Sequence, residues 1–215
     1  MYINRETLKK IARDNVQKHY GVIMPAVLFA SLVSGLLATY MEDYSFLIQV
    51  AFVPLPYGLA TILLKLSAQQ ASSFSDLFKG YNYFWKLFLT SLLFGLKVLI
   101  GLILLVVPGI VFILEYSMVW FILAENPELS ATDALKKSQK LMDGNKTELF
   151  FLLVSFIGWI LLSAFTAGIL YLFYVGPYMY FSITEFYKVI SGSRIEVLEA
   201  DFSNESGSEH GGVRE

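Results

Sequence analysis

Two charged residues interrupt long apolar stretches, and any chemistry in this sequence starts with them. Lys97 stands in the middle of the run 87–107, and Glu115 in the middle of the run 109–124. Lys97 comes 11 residues after Lys86, and Glu115 comes 10 residues before Glu125. At about 1.5 Å per helical residue, both lie about 15 Å from the same polar boundary. Snorkelling does not carry a lysine that far, and an unpaired charge at the bilayer centre costs at least about 2.5–3.5 kcal/mol. Equal depth on adjacent helices points to an ion pair. The alternative is a polar cavity in which the two groups bind a substrate or relay a proton.

Other chemistries lack their parts. With no cysteine, disulfides, thiolate metal sites and cysteine nucleophiles are excluded. The two histidines, His19 and His210, fall at a membrane edge and in the C-terminal tail, so a histidine metal cluster is not expected. The sequence contains no HExxH, no phosphate-binding GxxxxGK-S/T loop and no nucleophile elbow. The expectation is therefore a protein that is not an enzyme and carries no cofactor or metal. A net charge of −2 and a pI of about 5.7 give no sign of nucleic-acid binding.

The frame that must position Lys97 and Glu115 follows from composition. Of 215 residues, 56% are hydrophobic and 16% charged, and mean hydropathy is +0.59. A soluble surface needs more charge than that, about 25% in ordinary domains. The apolar residues come in blocks, which predicts an all-α, polytopic membrane protein. Six spans are expected, at about 20–40, 46–66, 87–107, 109–124, 149–165 and 169–189, making three hairpins. A short cytoplasmic amphipathic helix precedes each hairpin, at 4–18, 73–81 and 130–143. Residues 1–190 form one membrane domain, and 191–215 an acidic, disordered cytoplasmic tail. No cleavable signal peptide is apparent, because the first apolar run is too long for one.

Prolines and turns fill in the rest. Pro56 in the second span and Pro177 in the sixth are expected to kink their helices. Turns are expected at 41–45, at Pro108–Gly109 and at 165–168, and Gly144 should stop the third amphipathic helix. The three turns hold no Lys or Arg, whereas basic residues crowd the opposite connections. The positive-inside rule then puts both termini in the cytoplasm of a cell whose plasma membrane holds the protein. Ser155, Gly158, Ser163 and Gly168 read as close-packing residues, and Trp159, near midspan, as buried against other helices. Tyr171, Tyr174, Tyr178 and Tyr180 read as belt and packing residues ahead of cavity lining.

Ser73-Phe74-Ser75-Asp76-Leu77-Phe78-Lys79 and Ser130-Ala131-Thr132-Asp133-Ala134-Leu135-Lys136 share the pattern S-x-S/T-D-x-F/L-K, and both fit a capping box. Glu6-Thr7-Leu8-Lys9-Lys10 matches part of it. Three parallel copies of one helix-plus-hairpin unit would produce this pattern; so would three unrelated interfacial helices that each need a cap, an apolar stripe and lysines.

A further pattern runs through the C-terminal two-thirds: Pro108-Gly109-Ile110, Tyr116-Ser117-Met118, Ala124-Glu125-Asn126-Pro127, Ser138, Met142, Gly144, Lys146, Leu149-Phe150, Ser155-Phe156-Ile157-Gly158-Trp159, Thr166, Gly168-Ile169, Pro177-Tyr178 and Phe186-Tyr187. In these residues the chain resembles a bacterial family of integral membrane proteins, domain of unknown function 975. The resemblance implies a multi-pass protein of bacterial type and no established activity. Lys97 and Glu115 are not part of the pattern.

Two functions fit. The first is an accessory or scaffold protein of a membrane complex, meeting another membrane protein or anionic lipid at its cytoplasmic face. The second is a small transporter or lipid-handling protein with Lys97 and Glu115 at a mid-membrane site. Substrate, partner and oligomeric state are not written in the sequence.

Overall fold

The computed structural model describes residues 5–40 and 50–192. Among them every regular element is helical. The apolar blocks explain this, because a helix satisfies its own backbone N–H and C=O groups where no water reaches them. Four stretches are long and apolar enough to cross a membrane: Val50–Ser67, Phe74–Leu104, Val106–Glu125 and Lys146–Phe165. The expected runs at 20–40 and 169–189 are not among the four. The acidic turn 41–45 and the tail from 193 lie outside the described residues.

Helix α1 (Arg5–Tyr40) contains what reads in sequence as two elements, joined at His19, whose φ of −115° and ψ of 20° leave the helical region. Leu8, Ala12 and Val16 are buried, as their spacing requires. Their stripe faces protein rather than lipid headgroups, since α1 packs along the last helix. The Lys9 ammonium stands 4.9 Å from the Phe156 ring centre, and the Arg13 guanidinium 5.9 Å from that of Tyr178.

Pro56 and Pro177 each stand just after an interruption of their span. A turn at residues 53–54 precedes α2 (Leu55–Ser67), and Pro56 sits in its first turn, where the missing N–H costs nothing. The next segment, expected as an amphipathic α-helix, is a 3₁₀ helix (Phe74–Tyr83) with the Ser73–Asp76 capping box in place. It lies so close to α2 that a Cβ on Gly58 would stand 2.8 Å from Leu77 Cα. Leu77 is buried there, while Phe74 and Phe78 pack edge-on against Phe29.

Helices α3 (Phe84–Leu104) and α4 (Val106–Tyr116) form a hairpin joined by one extended residue, Leu105 (φ −173°, ψ 159°). The turn is thus three residues earlier than Pro108. Pro108 lacks only a first-turn N–H that no intrahelical partner would accept from. Gly109 serves the crossing of the two helices: a Cβ on Gly101 would stand 3.1 Å from Gly109 Cα.

The fourth span breaks at Ser117, whose hydroxyl donates to the Leu114 carbonyl at 2.7 Å, and resumes as α5 (Val119–Glu125). Ser130 caps α6 (Ala131–Met142) by accepting from the Asp133 N–H at 3.2 Å. Gly144, at φ +77°, takes the left-handed conformation that ends it, as expected. The fifth span is likewise divided, into α7 (Lys146–Val154) and α8 (Ile157–Phe165). After the turn at Gly168 (φ +82°), a π-helical segment, Tyr171–Val175, leads into α9 (Gly176–Ile190). Pro177 lies in the first turn of α9, so the irregularity expected from it belongs to the π segment just before.

Helix α9 is the centre of the packing. Phe181, Phe186 and Tyr187 are fully enclosed, and both α1 and α2 lie against it. The α3–α4 hairpin and α8 instead leave broad apolar faces uncovered, including the tip Ile103–Leu104–Leu105–Val106–Val107. Trp159 belongs to such a face: it is 37% exposed rather than buried, beside Tyr174 at 5.8 Å. Gly158 likewise packs against nothing within 4 Å. In lipid such faces need no protein cover, because acyl chains are as apolar as the side chains.

Candidate functional site

Lys97 and Glu115 do not pair. Lys97, exposed on α3, donates to the Tyr116 hydroxyl at 3.1 Å, and its ammonium lies 4.9 Å from that ring's centre. Glu115, 4% exposed, pairs with Lys146 at 3.2 Å. Neighbouring residues on an α-helix diverge by about 100°, so Tyr116 takes the face toward α3 and Glu115 turns toward α6 and α7. Equal depth put the two charges at one level; rotational phase keeps them apart.

Glu115 instead anchors a structural hub. The buried Ser138 of α6 donates to its backbone carbonyl at 2.8 Å, while Lys146 of α7 holds its carboxylate. Several other pattern residues also turn out to be joints. Asn126 closes α5 by bonding back to the Ile122 carbonyl, and the Pro127 carbonyl accepts from the Lys86 ammonium. Tyr178 is buried against Phe156, ring centres 5.1 Å apart.

A second polar cluster, which no sequence motif marks, joins α1, α2, α5 and α9. Glu185 is 0% exposed and accepts from Asn15 Nδ2 at 3.0 Å and from the Ser67 hydroxyl. Lys188 donates to the Ser67 carbonyl at 3.0 Å and to Ser67 Oγ at 2.9 Å. The Tyr187 hydroxyl donates to Glu125 Oε2 at 2.6 Å. A weaker signal was in the sequence: Glu185 and Lys188 lie three residues apart at the end of an otherwise apolar run.

Two cavities share the walls α2, α5 and α9. One, of about 520 Å³, is apolar and lies among Leu59, Leu63, Trp120, Phe121, Leu149 and Ile183, with Tyr171 and Tyr180 also on its wall. Those two tyrosines therefore line a cavity, against the packing reading. The other, of about 540 Å³, is polar, with Lys65, Ser67, Gln69, Gln70, Glu125 and Lys188 around it. Both volumes fall within the roughly 300–1,000 Å³ usual for small-molecule sites. Beside the polar cavity, Lys65 also pairs with Asp76 at 2.9 Å.

An all-helical chain with four apolar helices long enough to cross a membrane has the make-up of a membrane protein. Residues 98–194 match the model of a family described as "Protein of unknown function (DUF975)", and over this segment the chain is similar to that family. No curated protein and no solved structure matches the chain.

Proposed function

We propose that this chain is a multi-pass membrane protein without enzymatic activity that holds the apolar chain of a lipid in the cavity between α2, α5 and α9. The observation that carries the reading is the cavity itself, about 520 Å³ and walled mostly by apolar side chains. In a bilayer such a space fills most cheaply with acyl chain, since water there would find few hydrogen-bond partners. The site moves accordingly from Lys97 and Glu115, neither of which lines either of the two cavities described, to these three helices. Six spans in three hairpins, with both termini on the cytoplasmic side of a bacterial plasma membrane, remain the topology that the lysine distribution favours. The caps at Ser73 and Ser130 fit the idea of a repeated unit.

Mild extraction from the native membrane followed by mass spectrometry tests the reading. One lipid should remain with the purified protein, and Ala60→Phe, which fills the cavity from α2, should release it. A lipid-free protein carrying a stoichiometric protein partner would instead support the accessory-subunit reading. That second reading draws on the exposed Lys136, Lys137 and Lys140 of α6, a basic face suited to a partner or to anionic lipid.

A further inference from the structure

The polar cavity contains an arrangement that ordinary packing does not call for. Lys188 and Glu125 carry opposite charges and border the same space. Yet among the described residues no carboxylate comes within 4 Å of the Lys188 ammonium. Each charge is tethered from behind: Lys188 by the carbonyl and hydroxyl of Ser67, Glu125 by the hydroxyl of Tyr187. The ammonium has three donors and spends two on Ser67, while Glu125 Oε1 accepts from no group among the described residues. Two opposite charges on the wall of one cavity, each bonded to another group rather than to the other, suit a group that is itself dipolar.

The apolar cavity next door indicates what such a dipolar group would be attached to. Helices α2, α5 and α9 carry both walls, with the polar one further along each helix. From Leu63 to Ala68, Phe121 to Glu125 and Ile183 to Lys188 the step is four or five residues, about 6–8 Å of helix. A phospholipid separates its headgroup charges from its acyl chains by a comparable length.

Resting on the lipid-holding reading above, we propose that the polar cavity binds a zwitterionic headgroup, with the phosphate at Lys188 and a primary ammonium at Glu125. A primary ammonium brings its own positive charge to the hydrogen bond with the free carboxylate oxygen, whereas a glycerol hydroxyl donates to that oxygen without one.

The test uses the purified full-length protein in detergent and native mass spectrometry. The probes are dioctanoyl phosphatidylethanolamine, dioctanoyl phosphatidylglycerol and chain-free glycerophosphoethanolamine. The wild-type protein should favour the ethanolamine lipid over the glycerol lipid about tenfold, the value of one charged hydrogen bond. Glu125→Gln should bring that ratio close to one; the variant keeps an oxygen for Tyr187 and is expected to fold, which an unchanged Tm would verify. Lys188→Gln should weaken both lipids.

Wild-type protein that binds the two lipids equally, or a Glu125→Gln variant that keeps the preference, overturns the headgroup assignment. If Ala60→Phe still abolishes binding in that case, the acyl-chain reading stands alone. Absence of binding by both lipids brings down both readings. Chain-free glycerophosphoethanolamine bound as tightly as the lipid would assign the cavity to a soluble zwitterion and overturn the lipid proposal.

Discussion

The Glu115–Lys146 pair can be separated from the pairing that depth alone favours by two double-mutant cycles. At 3.2 Å and an effective dielectric near 20, the Coulomb attraction is about 5 kcal/mol before desolvation is subtracted. The partners are not equivalent. The Lys146 side chain is 30% exposed and can rehydrate if left alone; that of Glu115 is 6% exposed and cannot. Lys146→Met should therefore cost about 3–5 kcal/mol, the range for stranding a buried charge. Glu115→Gln should cost less, about 1–2 kcal/mol, close to the loss of one charged hydrogen bond. The double variant should be more stable than the sum of the singles by about 2 kcal/mol, as expected for residues in contact. Lys97→Met combined with Glu115→Gln should be additive, because Lys97 touches Tyr116 instead. The assay is thermal unfolding of purified protein in detergent, followed by tryptophan fluorescence and checked by size-exclusion chromatography. Strong coupling of Glu115 to Lys97, or none to Lys146, would refute the reasoning.

Four further outcomes are expected in the same assay or a close relative. Gly58→Ala should destabilise by about 1–3 kcal/mol, since its Cβ would stand 2.5 Å from the Leu77 carbonyl carbon and backbone cannot yield. Gly158→Ala meets nothing within 4 Å and should be neutral or stabilising by up to about 1 kcal/mol, although both glycines sit in apolar helices. Glu185→Ala, which strands Asn15 and Ser67, should cost about 1–3 kcal/mol, and Glu185→Gln distinctly less because an acceptor remains. Trp159 faces outward on α8, so brominated acyl chains in a reconstituted bilayer should quench its fluorescence; a Trp159→Phe variant supplies the blank.

The apolar blocks made the helical class and the main spanning stretches legible, because block length is a one-dimensional property. Caps were legible for the same reason: Ser73, Ser130 and Gly144 act within a few residues of themselves. The hairpin turn was misplaced because Pro108 looks like a breaker, whereas a proline in a first turn is compatible with a helix and Leu105 breaks the chain without any sequence signal. The Lys97–Glu115 pairing failed on rotation: depth along a helix can be counted from residue numbers, but the neighbour a side chain faces cannot. Gly158 and Trp159 show the same limit: small or aromatic residues were read as buried without knowing which side of α8 meets protein. The Asn15–Ser67–Glu185 cluster joins residues up to 170 positions apart, and no local pattern announces such a contact.

That long connection has a consequence for how the protein is made. The basic half of α1 leaves the ribosome before the other described helices, yet the face it buries meets α9, which follows all of them. Until then Leu8, Ala12 and Val16 have no protein to cover them, and the Asn15 amide lacks its carboxylate acceptor. Contacts this distant in sequence form late. Helix α1 must therefore stay incompletely packed until α9 has been added. A chain stalled before α9 would display that unfinished seam.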